Sequence, residues 1–326
     1  MKLSSEHNNL EFFNLVESQL LEVQGYIDAH LNSLYEPVSQ LLEYVNIRSG
    51  KMLRPGLVLL SGLCCGEILP VHITVAAITE MVHDATLLHD DVIDEGDIRR
   101  GNATVNRLFG NEAAILAGDL LLSRASVICS SLDPDINKII ASATSQVCEG
   151  ELAQLLQRDN FQLTESEYIK IISQKTAALF SGCCRLGAVC SKAPEAQAEA
   201  LSKFGKNIGI AFQITDDLLD ITGNENQTGK TIGRDVDKNK LTLSLIHQLS
   251  SVGEKEKETL IEKIENSRHD RKVLVDILSN NGSLEYAGKR AEEFVGLATD
   301  SLADIADSPA KQALLSIAKF VTNRVA

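Results

Sequence analysis

Along most of the 326-residue chain, apolar side chains return every third or fourth position. The rhythm runs through 9–24, 36–47, 55–65, 71–93, 111–131, 135–157, 165–190 and 195–221, then in shorter segments to 325. That spacing stacks the apolar groups on one face of an α-helix. Prolines fall where such helices begin. Asp133-Pro134 and Ser308-Pro309 each pair an N-cap with a first-turn proline, and Pro37, Pro55, Pro70 and Pro194 open other segments; the N–H that proline lacks is one the first turn leaves unused. No Asn-Gly hairpin sits between alternating runs. The stretch SNNGSLEYA instead separates two helices, with Ser283 as the expected N-cap. Only about 95–108 and 222–239 are long and irregular. There is no low-complexity linker, so one all-α domain spanning 1–326 is expected.

Two of these helices break the apolar rule in the same way. LHDDVIDE at 88–95 carries Asp90, Asp91 and Asp94, and FQITDDLLD at 212–220 carries Asp216, Asp217 and Asp220. On a helix the first and last aspartate of each triad share a face, and the middle one sits about 100° around the axis. Like charges four apart oppose a helix by about 0.2–0.5 kcal/mol. Burial among Leu87, Leu88, Val92, Ile93, Ile214, Leu218 and Leu219 raises that cost. Both triads also lie at helix C-termini, the negative end of the macrodipole. Two solvated acidic faces fit these apolar neighbours poorly; a bound cation fits them well. Hard oxygen donors in this number suit Mg²⁺, which keeps several waters and binds substrate phosphates.

Composition narrows the classes. With 44% hydrophobic and 23% charged residues the chain can bury a large core. A net charge of −14 argues against a nucleic-acid partner. Seven cysteines, including Cys64-Cys65 and Cys183-Cys184, show no C-x-x-C spacing and no disulfide framework. They read as reduced thiols of a cytoplasmic protein. There is no basic-then-apolar leader and no apolar run long enough to span a membrane.

Metal-bound acids imply a phosphate, and a phosphate needs protein cations as well. Short basic islands supply them: RSGKMLRP at 48–55, RRG at 99–101, QKT at 174–176, GK at 229–230 and NK at 239–240. Gly50 and Gly229 would let backbone approach an anion closely, and arginine can grip phosphate with two nitrogens.

The motifs GKMLRP, HDATLLHDDVIDEGDIRRG, EGE, KTAALF, FQITDDLLD and GKTIGRDVDKNKLTL, in this order, resemble those of the trans-isoprenyl diphosphate synthases (polyprenyl synthetases), especially the long-chain enzymes that make quinone side chains. The resemblance runs from about residue 35 to the C-terminus. It implies an all-α, isoprenoid-synthase-type helical bundle around a deep central cavity, with both aspartate motifs at the mouth, and a homodimer. By the same resemblance Asp90, Asp91, Asp94, Asp216, Asp217 and Asp220 hold Mg²⁺ on an allylic diphosphate. Arg99, Lys175, Thr176, Gln213, Lys230 and Lys240 grip that diphosphate, and Lys51, Arg54, His83 and Arg100 bind isopentenyl diphosphate. His83, taken alone, also reads as a satisfied core histidine. The chain departs from the family at Ser49-Gly50-Lys51-Met52, where a basic residue is lost, and at Lys238-Asn239-Lys240.

The implied chemistry is ionisation of the allylic C–O bond, attack by the isopentenyl double bond and loss of a proton. The metal and the cationic clamp stabilise the diphosphate as it leaves, and the departing diphosphate can take the proton. A terpene cyclase would not need the second diphosphate site, and a non-catalytic synthase subunit would lack intact motifs. Counting back from Asp90, Ala85 and Thr86 and then Met81 and Val82 form a chain-length wall; by the resemblance, short-chain members carry aromatic rings at the positions matching Ala85 and Thr86, which are small here. That implies a long product, octaprenyl centrally, with farnesyl or geranylgeranyl as the shorter alternative.

Overall fold

The computed structural model describes residues 11–47, 50–223, 238, 240–266 and 271–323. Lys230, Gly229 and Asn239 lie outside them. After a short 3₁₀ turn at Glu11–Val16 come α1 (Glu17–His30), α2 (Glu36–Ile47), α3 (Leu53–Cys65), α4 (Pro70–Ile93), α5 (Val105–Phe109), α6 (Asn111–Cys129), α7 (Pro134–Leu156), α8 (Glu165–Ile172), α9 (Ala178–Cys190) and α10 (Glu195–Thr222). They are followed by α11 (Leu243–Ser250), α12 (Glu254–Asn266), α13 (Arg271–Asn280), α14 (Ser283–Ser301) and α15 (Pro309–Asn323). The fold is all-α, as the apolar rhythm implies.

The packing follows from which faces are apolar. Leu201, Phe204, Ile208 and Ala211 of α10 join a large cluster built from α1, α3, α4, α6, α7, α9 and α15. Ile210, Ile214, Leu218 and Ile221, on another face of α10, join a second cluster with α8 and α11–α14. A helix apolar on two faces is buried along its length, and α10 accordingly lies against both α9 and α14. α3 packs on α9 and α4, and α4 on α6. Pro70 opens α4, where the His72 ring accepts the Leu69 N–H (3.0 Å) and its other nitrogen lies 3.1 Å from the Gly187 carbonyl oxygen.

Three local expectations change. Ser283 is not the N-cap of α14: Gly282, in the left-handed conformation, is. The Ser283 hydroxyl is buried and bonded to Gln248 and His247 instead. The helix expected over 165–190 is interrupted at Ser173–Ala177 by a π-helical turn. Irregular 95–108 contains a minimal hairpin, with Ile98–Arg99 (β1) antiparallel to Asn102–Ala103 (β2), and then α5. Its two turn residues, Arg100 and Gly101, both have positive φ (52° and 75°), the geometry of the two-residue turn that suits strand twist. An arginine in place of the usual asparagine hides that turn in the sequence.

All seven cysteines are free. Burial pushes the Cys183 thiol up to about 12, which keeps it protonated and inert. No helix among the described residues is long and apolar enough to cross a membrane.

Candidate active site

The two aspartate triads end α4 and α10, and each divides into an outer and an inner set. Asp90, Asp94 and Asp216 are half-buried, whereas Asp91, Asp217 and Asp220 are 4%, 7% and 3% exposed. The inner carboxylates have protein partners. The Arg99 Nε donates to Asp91 Oδ1 at 2.6 Å. The Tyr168 hydroxyl donates to Asp217 Oδ2 at 2.6 Å, and Gln213 Nε2 donates to Asp217 Oδ1 at 2.7 Å. Gln213 in turn accepts from the Thr176 hydroxyl at 2.6 Å. Arg99, Thr176 and Gln213, expected on the diphosphate, are thus tied to the aspartate motifs themselves.

The π-helical turn joins the two triads. Neighbouring helices pack closely on it through glycines: a Cβ on Gly150 of α7 would lie 2.2 Å from the Lys175 nitrogen, and one on Gly209 of α10 would lie 2.5 Å from the Ala177 Cα. Such bulges re-aim side chains at functional sites. Here Thr176 turns to the second motif and Lys175 to the first. Lys175 Nζ donates to Glu151 Oε2 (2.7 Å) and Gln154 Oε1 (2.8 Å). Burial works against its charge, but Asp90, Glu151 and Asp94 outweigh that and hold it firmly protonated.

Asp94, one residue past α4, receives Lys240 Nζ at 2.9 Å on one oxygen and Arg158 Nη2 at 3.3 Å on the other. Burial pushes its carboxyl upward, yet Lys240, Lys175 and Arg158 together hold it below the usual carboxylate range. The loop after Asp94 is fastened by Gly96 N–H to the Asp91 carbonyl (2.7 Å) and by the Tyr44 hydroxyl to the Ala103 carbonyl (2.7 Å).

A second basic group gathers beside the first motif. The Arg54 guanidinium lies 5.0 Å from the Phe180 ring centroid. Arg100 folds back so tightly on the GKMLRP island that a Cβ on Gly50 would be 2.4 Å from its Nη2. The close approach expected at Gly50 is therefore made by a guanidinium. Lys51 is exposed, 5.6 Å from the Phe320 ring of α15. Burial, then Arg54, Arg100 and Arg99, hold the His83 imidazole well below 6.5, so it is neutral. Asp84, Leu88, Arg99 and Arg100 line a pocket here. On α4 below the motif, Met81, Val82 and Ala85 are fully buried and Thr86 half-buried.

The donor set fits a hard divalent ion in type: carboxylate oxygens ringed by cations. Among the described residues no three carboxylate, histidine or cysteine groups converge as a ready-made cage. The fit is therefore to an ion that completes its shell with water and phosphate oxygens, as Mg²⁺ does. Sequence reasoning missed Arg158, Glu151 and Tyr168. EGE and the apolar run around Tyr168 were visible, but nothing marked Arg158.

The polyprenyl synthetase family model matches residues 35–280. The chain belongs to this family. It is 34% identical to the octaprenyl diphosphate synthase of Escherichia coli (strain K12), over 97% of this chain and 99% of that one. It is 32% identical to the geranylgeranyl diphosphate synthase of Methanosarcina mazei, over 92% and 95%. Among solved structures it resembles a polyprenyl synthase from Caulobacter crescentus complexed with calcium and isoprenyl diphosphate, at 30% identity and a TM-score of 0.91, covering 97% of each chain. Like the other polyprenyl synthetases, the protein is a trans-prenyltransferase with the all-α isoprenoid synthase fold.

Proposed function

We propose that the protein condenses isopentenyl diphosphate with an allylic diphosphate in a Mg²⁺-dependent reaction, yielding a long all-trans polyprenyl diphosphate, octaprenyl by preference, of the kind used for quinone side chains. The observation that carries this reading is the pair of aspartate triads joined through the Lys175–Thr176 turn. Bound Mg²⁺ would supply Lewis-acid stabilisation to the leaving diphosphate. Asp90, Asp94 and Asp216 are the carboxylates that would hold it, while Asp91, Asp217 and Asp220 set their positions from within the fold. Lys175, Lys240 and Lys230 bind the allylic diphosphate. Arg54, Lys51 and Arg100 bind isopentenyl diphosphate, beside a His83 that stays neutral and can donate a hydrogen bond. Their preorganised charges favour the diphosphate more as its negative charge grows. The buried apolar wall keeps water from the cation.

The chain acts as one domain, since α10 belongs to both apolar clusters, and its seven free thiols suit the cytoplasm. It works as a homodimer. Leu116, Leu120 and Val127 share one face of α6, and Leu152, Leu155 and Leu156 share one face of α7; of these, Leu116, Val127 and Leu156 are 66%, 69% and 78% exposed. Stripes of that kind mark surfaces that meet a partner.

Product length rests on small Ala85 in the α4 wall and on the octaprenyl relative. Incubation with isopentenyl diphosphate, Mg²⁺ and geranyl, farnesyl or geranylgeranyl diphosphate, read by mass spectrometry, tests the whole proposal. Octaprenyl diphosphate is expected, and Ala85→Phe should shorten it. A wild-type product that stops at geranylgeranyl, or an unchanged distribution in Ala85→Phe, contradicts the length assignment. Hydrocarbon release or no turnover contradicts the reaction.

A further inference from the structure

Arg158 stands two residues past the end of α7, one residue beyond Gln157. It is not part of any basic island in the sequence. Its Nη2 reaches Asp94 Oδ1 at 3.3 Å, a long contact through a single nitrogen. Asp94 is already met by Lys240 at 2.9 Å on its other oxygen, so one carboxylate faces two cations. The Arg158 side chain is 23% exposed, yet its Nε is buried and has no hydrogen-bond partner. A planar guanidinium carries five donors in a rigid fork, and a buried donor left unpaired is costly. Arginine–carboxylate pairs frequently use that fork with two nitrogens. Here the fork is turned so that Asp94 takes one donor.

The surroundings of Asp94 are strongly cationic. Glu151 and Gln154 lie on one side of the C-terminal part of α7, just before Arg158. Glu151 and Gln154 hold Lys175, and Gln154, Gln157, Tyr168 and Lys240 line a pocket beside it. Three cations, Lys175, Lys240 and Arg158, therefore gather around Asp94.

We propose that Arg158 is a further binding residue for the diphosphate group held at the first aspartate motif, gripping its oxygens together with Lys175 and Lys240. This rests on the proposed prenyl transfer. It assigns to the allylic side a guanidinium that the basic islands do not contain.

The test compares wild type, Arg158→Gln and Arg158→Lys by steady-state kinetics in each substrate. Calorimetric titration with inorganic pyrophosphate and Mg²⁺ and a thermal melt are made on the same proteins. For Arg158→Gln, the KM for the allylic diphosphate and the Kd for pyrophosphate should each rise about tenfold, with the isopentenyl diphosphate KM unchanged; that is the loss of one charge-assisted hydrogen bond. Arg158→Lys should recover part of both. Unchanged KM and Kd with a lowered Tm make Arg158 a structural ion pair and overturn the inference, as does an equal rise for both substrates. If Arg158→Gln does not fold, Arg158→Lys decides alone: a raised allylic KM and pyrophosphate Kd support the inference, and wild-type values overturn it. Absence of turnover in wild type would refute the proposed reaction, while the pyrophosphate titration would still report on Arg158.

Discussion

The two aspartate motifs share a spacing and differ in how they are fastened. In the first, the inner Asp91 is held by a charged partner, Arg99, delivered by a hairpin immediately downstream. In the second, the inner Asp217 is held by neutral donors, Tyr168 and Gln213, delivered by a distant helix and by its own preceding turn. The first anchor is therefore local and ionic, the second partly long-range and built from hydrogen bonds with neutral donors. A D-D-x-x-D pattern read from sequence treats its three acids alike. The fold turns two acids of the first motif and one of the second outward, and buries the remainder at the helix end. What the pattern encodes is a pair of roles, charge for the ligand and anchorage for the charge.

Several substitutions would break or sharpen that contrast. The largest effect belongs to the outer acids: Asp90→Ala and Asp216→Ala should each cut turnover about a thousandfold or more, with helical circular dichroism unchanged, and EDTA should match them in wild type. Retained turnover in EDTA would remove the metal from the account. Next comes the ionic anchor. Breaking a fully buried ion pair costs about 3–5 kcal/mol, and with Arg99 30% exposed we expect about 2 kcal/mol for Asp91→Ala in a denaturant titration. The neutral anchor should be weaker still: Tyr168→Phe should cost about 1.5 kcal/mol and leave the isopentenyl diphosphate KM alone. If Tyr168→Phe destabilises more than Asp91→Ala, the ranking of the two anchors is inverted.

The smallest effect is one of pH. The His83 pKa is lower in the folded protein than its ordinary 6.5, through burial and the charges of Arg54, Arg100 and Arg99. Its neutral ring contributes stability that is complete above about pH 6.5 and is lost as pH falls through the folded pKa. Thermal melts from about pH 8 to about pH 5 should show a shallower acid loss in His83→Gln than in wild type; parallel curves would remove His83 from the titration.

Much of this was legible in the chain. The 3.6-residue rhythm and the prolines mark the helices because burial of one face and the first-turn N–H are local matters. The triads at the ends of α4 and α10 are local too. Three kinds of feature were not. The π-helical turn at Ser173–Ala177 packs closely against Gly150 and Gly209, which are far apart in sequence. The N-cap of α14 fell to Gly282 because Ser283 found buried partners in α11. Arg158 gains its meaning only from Asp94, 64 residues away. Each depends on a contact that periodicity does not carry.

The division of labour within a motif is tested most directly by titrating Mg²⁺ with inorganic pyrophosphate into Asp216→Asn and Asp217→Asn side by side, with a thermal melt of each. The account predicts that Asp216→Asn loses metal-dependent pyrophosphate binding at wild-type Tm. Asp217→Asn should keep most of that binding and melt earlier, having lost the match to Tyr168 and Gln213. If Asp217→Asn instead abolishes binding at unchanged Tm while Asp216→Asn binds normally, the inner and outer roles assigned here are wrong.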